Sequence, residues 1–249
     1  MTSIDPTVKS ARRIFEVFEY FELVQRPISL KELAGRYEYP TSSASALLKS
    51  MVISGYLSYD KYSRSYMPTM RIAQLGQWLK SGLFGESSIL AMVEFIHEKL
   101  DELVSISTQS DLHAQYIHCL QTGKRLRFEI KAGDIRPLAH SGVGKVMLST
   151  YTDEEIAMLL KKINAISPAA ERVDLPSLME TIHDIRKDGF MFSKHVITQD
   201  AGVIAIPLSR RSSGRLLVLG VGGPVTRLEE RFDEILACMK CAVERYLHN

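Results

Sequence analysis

Short hydroxyl and basic side chains gather between residues 29 and 64, and their chemical types suit contacts with nucleic acid. Serine and threonine hydroxyls can hydrogen-bond to phosphate oxygens or to base edges, while lysine and arginine neutralise phosphate charge. The candidate DNA-contacting residues are Ser29, Thr41, Ser42, Ser43, Ser45, Lys49, Lys61 and Arg64. Because most of them closely follow Pro40, we expect them at the start of one helix and in one turn nearby.

The two helices before this cluster are predicted by periodicity and by a cap. Apolar residues recur at helical spacing over residues 8–23 and give one wide apolar face. Ser29 and Glu32 then have the spacing of a capping box, in which the Ser29 hydroxyl accepts from the Glu32 amide and the Glu32 carboxylate returns to the Ser29 amide. This pair predicts a second helix over residues 30–37.

A third helix and a hairpin follow. Pro40 suits the start of the helix, Thr41 or Ser42 can cap it, and Gly55 suits its end. Residues 56–67 then alternate and turn like a small hairpin with a basic tip. Two helices joined by a tight turn and followed by a hairpin are the layout of a winged helix-turn-helix. The alternative is a small helical domain used for protein contact, which the element order and the basic tip disfavour.

Length and charge bound the class of protein. The chain has 249 residues, enough for two modest domains, and its formal net charge is +2. Residues 1–82 contain 11 Lys and Arg against 7 Asp and Glu, a balance of +4, whereas the remainder contains 20 against 22. A basic first part and an acidic second part suit one module that meets phosphate and one that does not.

The sequence favours a cytoplasmic protein without a membrane partner. No apolar run is long enough to span a membrane, and the first residues lack the apolar core of a secretory signal. The three cysteines are too few for a disulfide framework.

Other groupings of reactive residues do not amount to a metal or redox site. Cys238 and Cys241 form a C-x-x-C inside an amphipathic stretch that reads as the last helix, and no second ligand pair follows. His113 and His118 are predicted to lie on a strand at a spacing that points them to opposite faces. We therefore expect no metal and no cofactor.

The stretch around residue 140 offers a possible anion site. Gly142 and Val143 lie at a predicted helix N-terminus, where backbone amides attract negative charge. His140, Ser141 and Lys145 lie close by in sequence, so an enzyme that uses this region is an alternative hypothesis. No nucleophile elbow or cofactor fingerprint accompanies them, which disfavours catalysis.

The remaining elements are placed by periodicity and turn signals. Residues 71–85 are predicted to form a linker helix that contains the only tryptophan, Trp78, and to end at a domain boundary near residue 85. The predicted elements beyond it are a helix over 87–103, strands over 104–110, 113–123 and 126–131, helices from residues 142 and 153 and over 175–187, and strands over 190–192, 202–206 and 216–221.

Four blocks together resemble the IclR family of bacterial transcription regulators. They are GYLSYDKYSRSYMPTMRIAQLG, PLAHSGVGKVMLS, IRKDGFMFSKHVITQDAGVIAIPL and LLVLGVGGPVTRL, in this order across the chain. The resemblance implies an α+β protein: a winged helix-turn-helix over residues 1–70, a linker helix over 71–85, and over 86–249 an effector-binding and oligomerisation domain. That domain is expected to hold a curved antiparallel sheet with flanking helices, a GAF-like fold.

The resemblance also implies the partners. Members of the family bind double-stranded operator DNA and a small-molecule effector, and they form homodimers, often dimers of dimers. One departure concerns Ala46, which stands where family recognition helices usually carry an arginine. Since arginine is the commonest specific reader of guanine, its absence predicts a different operator or a larger share of backbone and shape readout.

The family's effector pocket can be transferred residue by residue. Gly142 and Val143 match the amide-bearing loop, and Gly220 and Gly222 stand where some members place hydroxyls that hold a carboxylate. Because Gly220 and Gly222 have no hydroxyls, we do not expect a small acid to be bound through its carboxylate at these positions. A pocket wall made of glycines suggests room for a larger or aromatic ligand. The candidate effector-binding residues are Phe128, Gly142, Val143, Ser193, His195, Val203, Gly220 and Gly222.

The leading hypothesis is a ligand-responsive transcription regulator, a repressor of a catabolic operon that senses a small organic acid or an aromatic metabolite. The alternatives are a DNA-binding scaffold without a responsive sensor site and the enzyme described above.

Overall fold

The computed structural model describes residues 8–76, 88–208 and 216–247, and these residues form two compact units. The first unit consists of residues 8–76. Its elements are α1 (Lys9–Val24), β1 (Ile28–Ser29), α2 (Leu30–Arg36), α3 (Thr41–Ile53), β2 (Leu57–Asp60), β3 (Ser65–Pro68) and α4 (residues 70–76). The three strands pair antiparallel in the order β1-β3-β2, which confirms the predicted winged helix-turn-helix.

The first unit is held together by one apolar core. Val17 and Phe21 of α1, Leu33 of α2 and Leu48 of α3 are buried together with Tyr66 of β3. Burial of each aliphatic or aromatic side chain contributes about 1.5–3 kcal/mol, so the core fixes α3 against the hairpin. The exposed start of α3 is thereby presented on a rigid support.

Two caps in this unit differ from the prediction. Ser29 accepts from the Glu32 amide at 3.2 Å, but the Glu32 carboxylate bonds to the Tyr20 hydroxyl and the Arg26 guanidinium and does not close a capping box. Its hydrogen bond to Arg26 is the main reason why the pKa of Glu32 lies below its usual value. Helix α3 has Pro40 in the cap position without a side-chain cap, because Thr41 is already its first helical residue.

The second unit is a mixed α and β domain. Its elements are α5 (Ser88–Leu100), β4 (Leu103–Ser110), β5 (His113–Leu120), β6 (Ile135–Pro137), α6 (Gly142–Leu148), α7 (Asp153–Ile166), a 3₁₀ turn (Ala169–Glu171), α8 (Leu175–Asp188), β7 (Met191–Lys194), β8 (Ala201–Leu208), β9 (Leu217–Pro224), α9 (Val225–Glu230) and α10 (Phe232–Leu247). Six strands form one antiparallel sheet in the order β6-β5-β4-β9-β8-β7. This sheet with its helices confirms the predicted α+β class.

The sheet carries a separate core on each face, as the period of two in its strands requires. Val104 and Ile106 of β4 join the core with α5 and α10, where Met92 and Met239 are buried. The opposite face packs on α6, α7 and α8. Leu103 and Ser105, which alternate with Val104 and Ile106, are left on that second face.

Two predicted boundaries are wrong near this sheet. Helix α5 ends at Leu100 and not at residue 103, because Asp101 adopts a left-handed conformation (φ 49°) and Leu103 already pairs with Gly222. Residues 126–131 form no strand; the third strand on that edge is β6.

Part of the predicted linker cannot be compared with the structure. Helix α4 begins at residue 70 and is described to residue 76. Trp78 and the predicted boundary near residue 85 lie outside the described residues, so the domain limits stay a prediction. Within the described part of the chain, no helix is long and apolar enough to cross a membrane.

Helix α7 gives a direct test of a predicted cap. The Thr152 hydroxyl accepts from the Glu155 amide at 3.2 Å, and the Glu155 carboxylate accepts from the Thr152 amide at 2.8 Å, so this capping box is complete. Thr152→Ala is expected to lower the free energy of unfolding by about 1 kcal/mol in urea denaturation. Thr181→Ala, inside α8, is the matched control and is expected to cost less; equal losses would contradict the role of the cap.

Candidate functional site

The predicted DNA-contacting residues of α3 differ in exposure. Thr41 and Ser42 are exposed in the first turn, and Lys49 is exposed further along. Ser43 and Ser45 are half-buried, since they flank Ala44, which packs into the unit. The first turn and Lys49 are therefore the parts of the helix that can reach a phosphate or a base edge.

The start of α3 also offers backbone donors. The first intrahelical bond runs from the Ala44 amide to the Pro40 carbonyl at 3.0 Å, and no side chain caps the turn. The preceding helical amides of Thr41, Ser42 and Ser43 therefore lack intrahelical partners, as in any helix. Amides at the positive end of a helix dipole favour contact with an anion such as a phosphate.

Three of the predicted residues come together in one groove. Ser29, Thr41 and Arg64 line an open groove of about 630 Å³, together with Lys31 and Tyr39. Lys31 is exposed and was missed by the sequence analysis, although its position in the first turn of α2 was a usable signal. A groove with two cationic residues and several hydroxyls suits a phosphate backbone.

The tip of the hairpin is held by Asp60. Its carboxylate accepts from the Tyr62 amide at 2.8 Å and from the Ser63 hydroxyl at 2.7 Å, and these bonds keep the pKa of Asp60 below its usual value. Lys61 and Arg64 are exposed on this turn, where Arg64 has a φ of 50°. The fixed turn orients both cations away from the core.

The position of the missing arginine is open to solvent. Ala46 is exposed on α3, and its carbonyl accepts from the Ser50 hydroxyl at 2.9 Å. The methyl group of Ala46 cannot donate a hydrogen bond to a guanine edge, as an arginine could.

A cavity of about 300 Å³ lies on the second unit's sheet, at the end of the face that packs on α6. Among the predicted effector-binding residues, the cavity is lined by Phe128, Gly142, Ser193, Val203 and Gly222. Strands β7, β8 and β9 supply its floor, and the start of α6 supplies one wall.

Three other predicted residues do not line the cavity. Val143 is fully buried beneath it, and Gly220 lies under Ser105, whose hydroxyl donates to the Gly220 carbonyl at 3.3 Å. His195 is exposed, with a φ of 57°, and its Nδ1 accepts from the Asp200 amide at 3.2 Å. That bond ties His195 to its own hairpin, and Val196, Ile197 and Thr198 line the cavity instead.

Close packing against neighbouring side chains explains why glycine stands at the predicted site positions 142, 220 and 222, more than a need for ligand space does. A Cβ on Gly142 would lie 2.5 Å from the Cβ of Ser193, and one on Gly220 would lie 3.0 Å from the Ser105 hydroxyl oxygen. On Gly222 it would lie 3.1 Å from a Leu103 methyl carbon. Neighbouring side chains already occupy much of the room that the glycine wall was expected to leave.

Several polar cavity residues were missed by the sequence analysis. Tyr116 and Arg136 lie side by side, with the guanidinium carbon 6.0 Å from the ring centre, and both line the cavity. Burial raises the pKa of Tyr116 to about 12, so its hydroxyl stays protonated at neutral pH and can donate a hydrogen bond. Glu129, at the exposed edge of the cavity, lies 3.8 Å from the Arg127 guanidinium.

The serine and histidine near residue 140 are engaged in structural bonds. The Ser141 hydroxyl donates to the Pro137 carbonyl at 2.9 Å and accepts from the Gly144 amide at 3.2 Å, which caps α6. The Nε2 of His140 lies 2.8 Å from the Glu171 carbonyl, away from Ser141. Ser141 therefore lacks the adjacent base that an activated nucleophile requires.

Cysteine and histidine side chains form no metal cluster in the described ranges. Burial raises the pKa of the Cys119 thiol to about 11 and lowers the pKa of His118. A thiol held protonated in this way is a poor nucleophile and a poor metal ligand. Cys238 is buried in α10, whereas Cys241 is exposed on the same helix.

Two protein-family models match this chain. "Bacterial transcriptional regulator IclR C-terminal" matches residues 87–245, and "IclR helix-turn-helix domain" matches residues 10–61. The first match spans all the residues that line the cavity, and the second spans α3 and the residues that line the groove except Arg64.

Curated and solved relatives extend the comparison over nearly the whole chain. The HTH-type transcriptional regulator KdgR of Escherichia coli is 23% identical over 248 residues, which cover 97% of this chain and 94% of the relative. The crystal structure of the Thermotoga maritima IclR superposes with a TM-score of 0.75 at 16% identity, covering 94% of this chain and 96% of that one. An IclR homologue complexed with 4-hydroxybenzoate, from Microbacterium hydrocarbonoxydans, gives 0.73 at 18% identity, covering 96% and 99%.

Proposed function

The chain belongs to the IclR family of bacterial transcriptional regulators, and we propose that it is a repressor of a catabolic operon whose effector is a small organic acid or an aromatic metabolite. As a member of this family, the chain is a DNA-binding, ligand-responsive regulator. Repression, as opposed to activation, and the chemical class of the effector are the proposed parts. The observation that carries it is the pairing of a ligand-sized cavity in one unit with an exposed, hydroxyl-rich helix start in the other.

On the DNA side, the first turn of α3 would enter the major groove while the hairpin tip meets the backbone. Thr41 and Ser42 would contact phosphates or base edges, and Lys49, Lys61 and Arg64 would neutralise phosphates. Lys31 joins this set because it shares the groove with Ser29, Thr41 and Arg64. With alanine at position 46, we expect modest base specificity per half-site and a larger share of shape readout.

On the ligand side, the cavity of about 300 Å³ is at the small end of ligand pockets, which measure about 300–1,000 Å³. The Microbacterium relative binds 4-hydroxybenzoate, an aromatic monoacid of suitable size. Phe128, Ile130 and Val203 would contact the apolar body of such a ligand.

Regulation would act through a homodimer, or a dimer of dimers, in the cytoplasm. An effector shifts operator affinity only as far as its own affinity differs between the two arrangements of the dimer. We also propose that the protein is not an enzyme, since Ser141 and His140 are engaged in structural hydrogen bonds.

Lys49→Ala tests the contact that we assign to α3. We expect weaker operator binding and a plot of log affinity against log salt that is shallower by roughly 0.9, the contribution of one phosphate contact. Fluorescence anisotropy on labelled operator DNA at several salt concentrations measures both quantities. Lys161→Ala, an exposed lysine on α7, is the control and should change neither; an unchanged slope for Lys49→Ala would remove that residue from the interface.

The DNA proposal is tested by comparing a fragment from the gene's own upstream region with shuffled DNA of equal length at moderate salt. Clear preference for the upstream fragment supports it, and equal affinities would contradict it. The scaffold alternative predicts specific DNA binding without any ligand that raises the melting temperature through the second unit.

A further inference from the structure

We propose that Arg136 and Tyr116 bind the carboxylate of the effector, so that acid recognition uses strands β5 and β6 and not the glycine-bearing strand β9. The proposal rests on the proposed function, because it assumes that the cavity of the second unit is the effector site. It commits to a class of ligand: a small aromatic monocarboxylate.

Arg136 is the only cationic side chain among the described residues that line the cavity. It lies in β6, paired with Ala114 of β5, and it is half-buried. Its guanidinium donates to the neighbouring Ile135 carbonyl at 2.8 Å, and no carboxylate of the described chain forms an ion pair with it. Most of its five donors are therefore free for a planar acceptor, which suits a carboxylate.

Tyr116 supplies a second donor at the same place. Its side chain is 4% exposed, lines the cavity, and has no hydrogen-bond partner for its hydroxyl among the described residues. Tyr116 lines the cavity, so its hydroxyl, which has no partner in the described chain, can donate a hydrogen bond to an acceptor on a ligand. The adjacent Arg136 guanidinium makes this end of the cavity the natural place for a negative charge.

Strand β9 offers no comparable group of side-chain donors for a carboxylate. Gly220 and Gly222 have no side-chain donor, and the Ser105 hydroxyl already donates to the Gly220 carbonyl. Apart from Tyr116, the cavity-lining hydroxyls that do not already donate to a carbonyl of the described chain are those of Ser193 and Thr198. A carboxylate bound by these two side chains would meet neutral donors and no cation.

Glu129 restricts the ligand further. It lines the same cavity as Arg136, at the exposed edge, and its carboxylate lies 3.8 Å from Arg127. A second negative charge on the ligand would meet this carboxylate, whereas an apolar ring would meet Phe128 and Ile130. The site therefore favours a monoacid over a diacid.

Matched acid and amide pairs test the assignment. Benzoate with benzamide, and 4-hydroxybenzoate with 4-hydroxybenzamide, are titrated calorimetrically into the full-length protein. We expect the wild type to prefer the acids, and Arg136→Gln to weaken acid binding by about 10- to 100-fold while amide binding changes little. Tyr116→Phe should weaken acid binding less, and Arg136→Lys should fall between Arg136→Gln and the wild type.

Arg125→Gln is the control, because Arg125 is an exposed arginine that does not line the cavity. It should bind like the wild type. The unliganded melting temperature of each variant shows whether it folds, and Arg136→Lys keeps the test valid if Arg136→Gln does not.

Three results would overturn the subsite. They are acid preference that survives in Arg136→Gln, amides that bind the wild type as tightly as the acids, and a wild type that binds none of the four compounds. Each of these leaves specific operator binding intact, so upstream-fragment binding, measured separately, distinguishes failure of the subsite from failure of the proposed function.

Discussion

Glu102→Ala is expected to lower the free energy of unfolding of the second unit by about 3 kcal/mol, because it removes the buried carboxylate that Arg227, Lys124 and Arg231 share. The Glu102 carboxylate is fully buried and accepts two bonds of 2.7 Å from Arg227. Lys124 lies 2.9 Å from it and Arg231 lies 3.3 Å from it. Alanine would remove the only buried carboxylate of this network and add a void.

The effect should reach the cavity as well. Arg227 also donates to the Leu126 carbonyl at 3.3 Å, and Lys124 lies on the same segment, which continues to Phe128. The network therefore fastens one wall of the cavity to α9. We expect Glu102→Ala to weaken ligand binding beyond its effect on stability, even under conditions in which the variant is folded.

Urea denaturation followed by far-ultraviolet circular dichroism measures the loss. Glu98→Ala removes an exposed carboxylate from the nearby helix α5 and should change stability by less than about 0.5 kcal/mol. Glu102→Gln keeps the shape and should lie between the two. If Glu102→Ala cost no more than Glu98→Ala, the network would have no structural role.

Gly144→Ala is expected to cost about 3 kcal/mol, at the upper end of the range for overpacked sites. A Cβ at this position would lie 2.2 Å from the Leu138 carbonyl oxygen and 2.7 Å from the Leu138 Cα. Both atoms belong to the backbone, so no side-chain rotation relieves the clash and α6 has to move. Since Gly142 of this helix lines the cavity, ligand binding should fall together with stability.

Gly35→Ala is the matched control, and its expected effect on stability has the opposite sign. Gly35 lies inside α2, is exposed, and has nothing within 4 Å of an added Cβ. Alanine should stabilise the first unit by about 0.4–1 kcal/mol, because it restricts the unfolded chain. A thermal melt of each variant compares them; a Gly144→Ala protein as stable as the wild type would show that α6 is not packed as closely as described.

The first unit could be predicted in nearly every element because its signals are local. Ser29 caps α2, Gly55 follows α3 in a left-handed conformation (φ 78°), and the alternating hairpin forms β2 and β3. Such signals lie within a few residues of the elements that they define. The predicted bond from the Ser29 amide to the Glu32 carboxylate was wrong, because Arg26 and Tyr20 bind this carboxylate instead. Only the folded chain brings these three side chains together.

The cavity was harder to predict because long-range pairing builds it. Strand β6 has three residues, of which one is proline, and shows no alternation that would identify it. A turn at residues 131–134, with Gly133 at a φ of 99°, redirects the chain and brings Arg136 beside Tyr116. Gly133 was the one local signal of this turn, and by itself it does not reveal with which strand the following residues will pair.

The predicted effector-binding residues also divide between those that reach the cavity and those that do not. Of the six taken from the family resemblance, four line the cavity, whereas Val143 and Gly220 do not. Of the two proposed from their side-chain chemistry, Phe128 lines the cavity and His195 turns towards Asp200. Resemblance assigns positions in the chain, but substitutions on neighbouring strands decide which side chains reach the ligand. Ser105 and Arg136 could be identified only once the sheet register was known.

The central claim is that occupancy of the cavity changes operator affinity, and a mobility shift of the purified protein on DNA from its own upstream region tests it most directly. The titration is run without ligand and with each of a panel of aromatic and aliphatic monoacids that includes 4-hydroxybenzoate, and it is repeated with Arg136→Gln. We expect a specific shift in the wild type, with the acid changing the protein concentration at which half of the DNA is bound. In Arg136→Gln, the acid should change that concentration far less. A specific shift that no aromatic or aliphatic monoacid alters in the wild type would contradict it.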